Sequence, residues 1–307
     1  MMLALKKTPT KFQTILFSLA FLTGCNQVFY QPMKEIVALP SQFGVAWIPV
    51  RIPVSGNQTL GAWWMKAARP AKVLVLQFHG NAQNRSTHMN FVAWLTQHEC
   101  DVVVVDYRGY GDSDGSPSRA ASVEDAVAAI RWTRDNPGTS NLPLVVIGQS
   151  LGGAVAVTAL AQKGSDGAAR GLILDSAFSS YREMARAKLA GVWLSWPLQW
   201  PMSFLVSDEL SPRDHAAKVT IPVLDFHSKG DPVVPYALGR ELFDSLGAKN
   251  KKWIAVEPAS HTGAFGVEDD TYREAALEFI RDLNREVRAD QPCKSRRARH
   301  PHPVQGI

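Results

Sequence analysis

Residues 144–153, Leu144-Val-Val-Ile-Gly-Gln-Ser-Leu-Gly-Gly153, decide how the rest of the chain is read. Four apolar residues, rich in β-branched Val and Ile, predict a buried strand. Directly after it, Gly148-Gln-Ser150-Leu-Gly152 fits G-x-S-x-G, a strand-to-helix turn sharp enough to lift one serine out at the top of a sheet. Side chains at Gly148 and Gly152 would collide with the neighbouring strand and helix. Small residues continue through Gly153, Ala154, Ala156 and Ala159. They predict a helix packed hard on the sheet, its first amides aimed at the Ser150 hydroxyl. A bare five-residue match also fits an ordinary glycine-rich turn, so the flanking chain must agree with it.

Working outward, the strand signals recur on both sides. Residues 45–54 and 60–66 read as a hairpin joined by Ser55-Gly-Asn-Gln58. Residues 73–78 are apolar apart from Gln77 and lead into His79-Gly-Asn-Ala82, then a helix through Phe91, Trp94 and Leu95. Residues 102–105 form another buried strand, ending in Asp106-Tyr-Arg-Gly-Tyr-Gly111. Ser122 with Asp125 fits a capping box opening a helix to about Arg134. Beyond the serine, residues 172–174 end in Asp175-Ser-Ala-Phe178, residues 223–226 and 253–256 resume the strands, and 271–288 closes as an amphipathic helix. Alternating strands and helices place the chain in the α/β class, with a mostly parallel sheet covered by helices on both faces. The alternation lapses over 178–213, the expected short helical cap. The domain is bounded at 44–287, behind a lead-in at 25–43 broken by Pro32 and Pro40, and before a disordered tail at 288–307.

At 307 residues, 46% hydrophobic and 20% charged, the chain can bury one large core. The net charge of +5 belongs to its ends. Lys6, Lys7 and Lys11, together with a tail whose basic residues outnumber Asp290 by four, exceed it and leave the body slightly acidic. That balance argues against a nucleic-acid partner, which needs a basic patch within the fold. The three lysines precede an apolar run at 15–22, too short to span a membrane. The run closes on Leu22-Thr-Gly-Cys25, which resembles the lipobox of bacterial lipoproteins. The resemblance implies that residues 1–24 are a signal peptide and that Cys25 is lipidated and becomes the mature N-terminus. It also implies a cell-envelope address, with Asn26 in place of an aspartate pointing to the outer membrane. A plain secretory signal is the other reading. Cys100 and Cys293 do not make a disulfide framework, and Cys100 is expected to be a small buried hydrophobe.

Taken together, Phe78-His-Gly-Asn-Ala82, Asp106-Tyr-Arg-Gly-Tyr-Gly-Asp-Ser-Asp-Gly-Ser-Pro-Ser118, the Ser150 elbow, Gly230-Asp-Pro-Val-Val-Pro235 and Ser260-His261 resemble the α/β-hydrolase fold superfamily. The nearest branch holds serine-aminopeptidase-like and depalmitoylase-like hydrolases. A serine hydroxyl is a poor nucleophile until an imidazole takes its proton, and the imidazole needs an acid to fix its tautomer. The chain order nucleophile, acid, histidine is met by Ser150, Asp231 and His261. Asp231 lies in a Gly-Asp-Pro loop, where an aspartate can also serve only the turn. Asp208, Asp214 and Asp225 are the alternative acids, and His261 follows the last expected strand. One oxyanion amide is expected from Leu151; by resemblance the second comes from Asn81, with Ala82 as the alternative. The resemblance gives His79 a supporting role in that loop, and His227 reads as a structural hydrogen-bonder. Trp193, Trp196 and Trp200, at i, i+3 and i+7, would share one face of a cap helix. There they either pack the cap onto the body or wall a pocket for an acyl chain.

Other signals lead nowhere. Asp112-Ser-Asp114-Gly115 lacks the further ligands of a calcium loop, His300-Pro-His302 is tail composition, and Gly109-Tyr-Gly111 does not extend to a dinucleotide fingerprint. No metal or other cofactor is expected. The expected activity is cleavage of carboxylic esters or thioesters through an acyl-enzyme on Ser150. The partners are then a small acyl ester or thioester substrate and, through lipidated Cys25, a membrane. A serine peptidase of the aminopeptidase kind and a non-catalytic envelope lipoprotein are the competing readings.

Overall fold

The computed structural model describes residues 29–163, 165, 167–191, 196–266 and 270–290, with side chains to 285. Eight strands form one sheet: β1 (Trp47–Val54), β2 (Gln58–Met65), β3 (Val73–Phe78), β4 (Cys100–Val105), β5 (Leu144–Gln149), β6 (Ala169–Asp175), β7 (Val223–Ser228) and β8 (Lys251–Val256). Their order is β8-β7-β6-β5-β3-β4-β2-β1. The β1–β2 and β2–β4 pairs are antiparallel and all others parallel. The opening hairpin turns through Gly56 and Asn57, both at positive φ (74° and 57°), which the right-handed strand twist demands of a tight loop.

The central strands are buried on both faces, which is why β3, β4 and β5 are apolar at nearly every position. Alternate residues feed two core layers. Leu74, Leu76, Val103, Val146, Leu172 and Leu174 face α1 (Arg119–Asp135) and α2 (Leu151–Leu160). Val75, Val102, Val104, Ile147, Ile173 and Phe226 face the closing helix Thr271–Asp290, which buries Ala276, Leu277, Ile280 and Leu283. That helix runs two residues past its expected end. Among the described residues no helix is long and apolar enough to cross a membrane.

Two local expectations are corrected. First, α1 opens at Arg119, not at Ser122: the Ser118 side chain accepts the Ala121 amide at its N-terminus. Ser122 and Asp125 instead turn inward, and Asp125 accepts both the Arg108 amide (2.8 Å) and its Nε (2.7 Å). A buried cation recruits the carboxylate that the local pattern assigns to a cap. Second, the helix through Phe91, Trp94 and Leu95 is three short turns, Arg85–His88, Met89–Phe91 and Ala93–His98, the last two of them 3₁₀. Trp94 Nε1 donates to the Phe91 carbonyl (2.8 Å), diverting an acceptor that a regular helix would use. The described part of the lead-in, 29–43, is mostly exposed and irregular but anchored at its start. Phe29 and Tyr30 are buried, and Gln31–Pro32 pairs in parallel with Ala82–Gln83.

The cap rises from the end of β6 as α3 (Tyr181–Ala190), followed by the 3₁₀ turn Trp196–Leu198 and the short α4 (Gln199–Ser203). Ser180 caps α3 by accepting the Glu183 amide, and Asp208 accepts from the Ser180 hydroxyl (2.8 Å) and the Arg182 amide (3.1 Å). Arg119 ties the returning chain down by donating to the Ser207 and Glu209 carbonyls (2.6 and 2.8 Å).

Candidate active site

Ser150 stands between β5 and α2 with φ 52° and ψ −117°, a strained backbone for a non-glycine residue. The strain is held by close packing on either side. A Cβ on Gly152 would lie 2.0 Å from the Phe78 carbonyl oxygen, and one on Gly148 would lie 2.6 Å from Gly153 Cα. These two glycines therefore let the start of α2 press against the ends of β3 and β5. The Ser150 amide donates to the Asp175 carbonyl (2.9 Å), fixing the turn to β6.

Asp231 follows β7 and His261 follows β8, at the carboxyl edge that also carries Ser150. His261 Nδ1 lies 2.9 Å and 3.1 Å from the two Asp231 oxygens, and Nε2 lies 3.0 Å from Ser150 Oγ. Asp231 Oδ1 also accepts the amides of Val233 (2.7 Å) and Val234 (2.9 Å). Burial pushes the Asp231 carboxyl up, but the hydrogen bond and charge of His261 and those two amides outweigh it, so the pKa lies below the ordinary aspartate value. The group stays an anion against the imidazole. His227, buried and with its pKa lowered chiefly by burial, holds the same loop through the Val234 carbonyl (3.2 Å) and stacks on Trp253.

The alternative acids are engaged elsewhere. Asp225 is fully buried within β7, and burial, reinforced by the charge of Asp175, raises its pKa far above the usual range. A neutral carboxyl cannot stabilise an imidazolium. Asp208 braces the cap, and Asp214 sits exposed in the cap's return segment.

The loop after β3 lies against the serine: a Cβ on Gly80 would be 3.8 Å from Ser150 Cβ. Two successive peptide planes are pinned there. The Gly80 carbonyl faces His79 Nδ1 (2.8 Å), and the Asn81 carbonyl accepts from Tyr110 Oη (2.6 Å) and the Gln31 amide (2.9 Å). In a trans peptide the N–H points opposite the C=O, so these contacts also set the directions of the Asn81 and Ala82 amides. Leu151 is the first residue of α2, where backbone amides lack intrahelical acceptors.

Sequence reading missed what anchors this loop. Asp106, wholly buried, accepts the Arg85 amide (2.7 Å), pairs with the Arg85 guanidinium and stands 3.1 Å from His79 Nε2. Its signal was present in Asp106-Tyr-Arg-Gly-Tyr-Gly111, but nothing local names Arg85 as its partner. Asp175, also buried, carries no local signal beyond closing a strand.

Trp196 and Trp200 do not share one helix face. Pro197 and Pro201 divide the stretch into a 3₁₀ turn and a five-residue helix, and both indoles are more than half exposed. Trp193 and Cys25 lie outside the described residues, as do residues 1–28 and 291–307. Cys100 is buried, and burial with the charges of Glu99 and Asp101 pushes its thiol up to about 12, so it packs as a hydrophobe.

A parallel sheet in this strand order, entered by an antiparallel hairpin and carrying a G-x-S-x-G elbow, defines an α/β-hydrolase, and the chain belongs to that superfamily. The family described as "Serine aminopeptidase, S33" matches residues 69–213. The Escherichia coli (strain K12) protein YfhR is 31% identical over 291 residues, 91% of this chain and 97% of that one. The lysophosphatidylserine lipase ABHD12 of Danio rerio is 33% identical over 201 residues, 62% of this chain and 51% of its own. An esterase of Pyrococcus furiosus superposes with a TM-score of 0.68 at 19% identity, over 83% of this chain and 98% of that one, a likeness of fold.

Proposed function

We propose that the chain is a serine hydrolase of carboxylic esters or thioesters, held on a bacterial envelope membrane by lipid on Cys25. The hydrogen-bonded line from Ser150 Oγ through His261 to Asp231 carries this reading. Ser150 Oγ bonds to the acyl carbon while its proton passes to His261 Nε2, and the Asp231 anion stabilises the imidazolium. The amide of Leu151, with that of Asn81 or Ala82, receives the developing oxyanion. His261 then gives the proton to the departing alkoxide or thiolate; afterwards it draws one from a water that bonds to the acyl carbon, and returns it to Ser150 Oγ as the acyl–Oγ bond breaks.

An ester is favoured over a peptide by the state of the cap carboxylates. A peptidase that trims N-termini needs a carboxylate cluster for the substrate's ammonium group. Glu183 is already paired with Arg186, and Asp208 with Arg213, Ser211, Ser180 and the Arg182 amide, which leaves exposed Glu209 as a single carboxylate and not a cluster. The lipase and esterase names of two similar proteins agree with acyl esters.

A fluorophosphonate probe should label the wild-type protein and leave Ser150→Ala unlabelled; labelling of both refutes the nucleophile. Rates on p-nitrophenyl esters from acetyl to decanoyl should exceed those on alanyl- and prolyl-anilides, and the reverse order would promote the peptidase. The N-terminal peptide of the mature protein should carry the mass of a diacylated Cys25; a free N-terminus there removes the anchor.

A further inference from the structure

Among the described residues nine large hydrophobic side chains are exposed, and five of them, Trp196, Leu198, Trp200, Phe204 and Leu205, fall within ten residues of the cap. Monomer surfaces usually scatter such residues singly. Trp200 and Phe204, four apart on α4 and its C-terminal cap, lie beside α3: the Arg186 guanidinium is 4.2 Å from the Trp200 ring and that of Arg182 is 5.5 Å from Phe204. With Lys188, α3 carries three cations against the single carboxylate of Glu183. Exposed indole, phenyl and leucyl groups bordered by Arg and Lys are the composition of a surface that enters the acyl–headgroup boundary of an anionic bilayer.

The start of the described chain leads to this element. Phe29 packs edge-on against Tyr181, the first residue of α3, with ring centroids 5.2 Å apart. Cys25 is four residues upstream, a span of at most about 14 Å. The cap also rises beside the reacting groups: Ser176, directly after β6, accepts the amide of Thr262, the residue after His261 (3.0 Å).

We propose that residues 196–205, bordered by the cations of α3, are a membrane-docking face that seats the cap in an anionic lipid surface. The orientation argument rests on the reading of Cys25 as the lipid anchor; the composition of the face does not.

The test uses the full chain, purified from membranes with whatever anchor it carries and reconstituted on vesicles of brominated phosphatidylcholine containing phosphatidylglycerol. Two of the nine tryptophans, Trp196 and Trp200, lie on this face, so quenching of total emission should approach about one fifth. The double variant Phe204→Ser/Leu205→Ser, checked for an unchanged urea midpoint, should lose at least half of that quenching while still sedimenting with the vesicles through its anchor. Quenching should also weaken when phosphatidylglycerol is omitted. No quenching of vesicle-bound wild type, or equal quenching in the double variant, overturns the proposal. So does a dimer in sedimentation velocity that the same two substitutions dissolve, because the occupant is then a second copy of the chain. Lipid on Cys25 is read separately by mass, and ester hydrolysis by the probe, so failure of either earlier reading is distinguishable from failure of this one.

Discussion

Replacing Asp175 by Asn should flatten the pH dependence of folding stability. Asp175 closes β6 directly beside the Ser150 turn, and its side chain is wholly buried. Burial, with the charge of Asp231 adding to it, pushes the carboxyl up to about 7, although the charge of His261 and the side chains of Gln149 and Ser176 pull the other way. The folded protein therefore holds this proton more tightly than the unfolded chain, where the ordinary value is 3.8. The resulting contribution to stability is fully present below the unfolded value and is lost as pH rises through the folded one. Over the whole window the loss is about 4 kcal/mol, of which about 2.5 falls between pH 5 and pH 8. Asparagine keeps the shape of the neutral acid and cannot ionise. Urea unfolding followed by tryptophan fluorescence, at pH 5 and pH 8, should show the wild type losing about 2.5 kcal/mol more than Asp175→Asn. An equal loss in the two proteins would refute the argument, since the carboxyl would then be ionised in the fold at both pH values.

Further outcomes follow from the site. On a p-nitrophenyl ester, Ser150→Ala or His261→Ala should lower kcat by roughly 10⁴–10⁶-fold and Asp231→Asn by less, and a wild-type rate in any of them displaces that residue from the mechanism. Tyr110→Phe removes the shorter of two donors to the Asn81 carbonyl and should lower kcat about three- to tenfold with KM little changed; a change in KM alone would show that the loop only binds. Arg85→Met leaves Asp106 buried without its cation and should cost about 3–5 kcal/mol in urea unfolding, whereas a cost below about 1 would mean the pair is dispensable.

Features decided by short stretches of backbone can be read before the chain folds. The G-x-S-x-G turn is legible because its strain is local: Gly148 and Gly152 have no room for a Cβ, and that requirement is written in five consecutive residues. The buried strands are legible because β3, β4 and β5 are covered on both faces and tolerate almost nothing polar. Ser150, Asp231 and His261 could be placed at strand ends in that order along the chain. Tertiary structure decided the rest. Ser150 and His261 meet across 111 positions of sequence, a contact set by strand order and not by any local pattern. Environment separates two aspartates six residues apart: Asp225 is surrounded by core and neutral, while Asp231 is met by two amides and an imidazole. Ser122 and Asp125 look like a helix cap until Arg108 arrives from another strand's end and claims the carboxylate. The lead-in near Pro32 looks like a tether until Gln31 pairs with the loop beside Ser150. In the cap, two prolines and the cations of α3, rather than helical spacing, decide where Trp196 and Trp200 stand. Polar groups in such places take their meaning from partners far off in sequence, because burial makes an unpaired charge or donor too costly to leave alone.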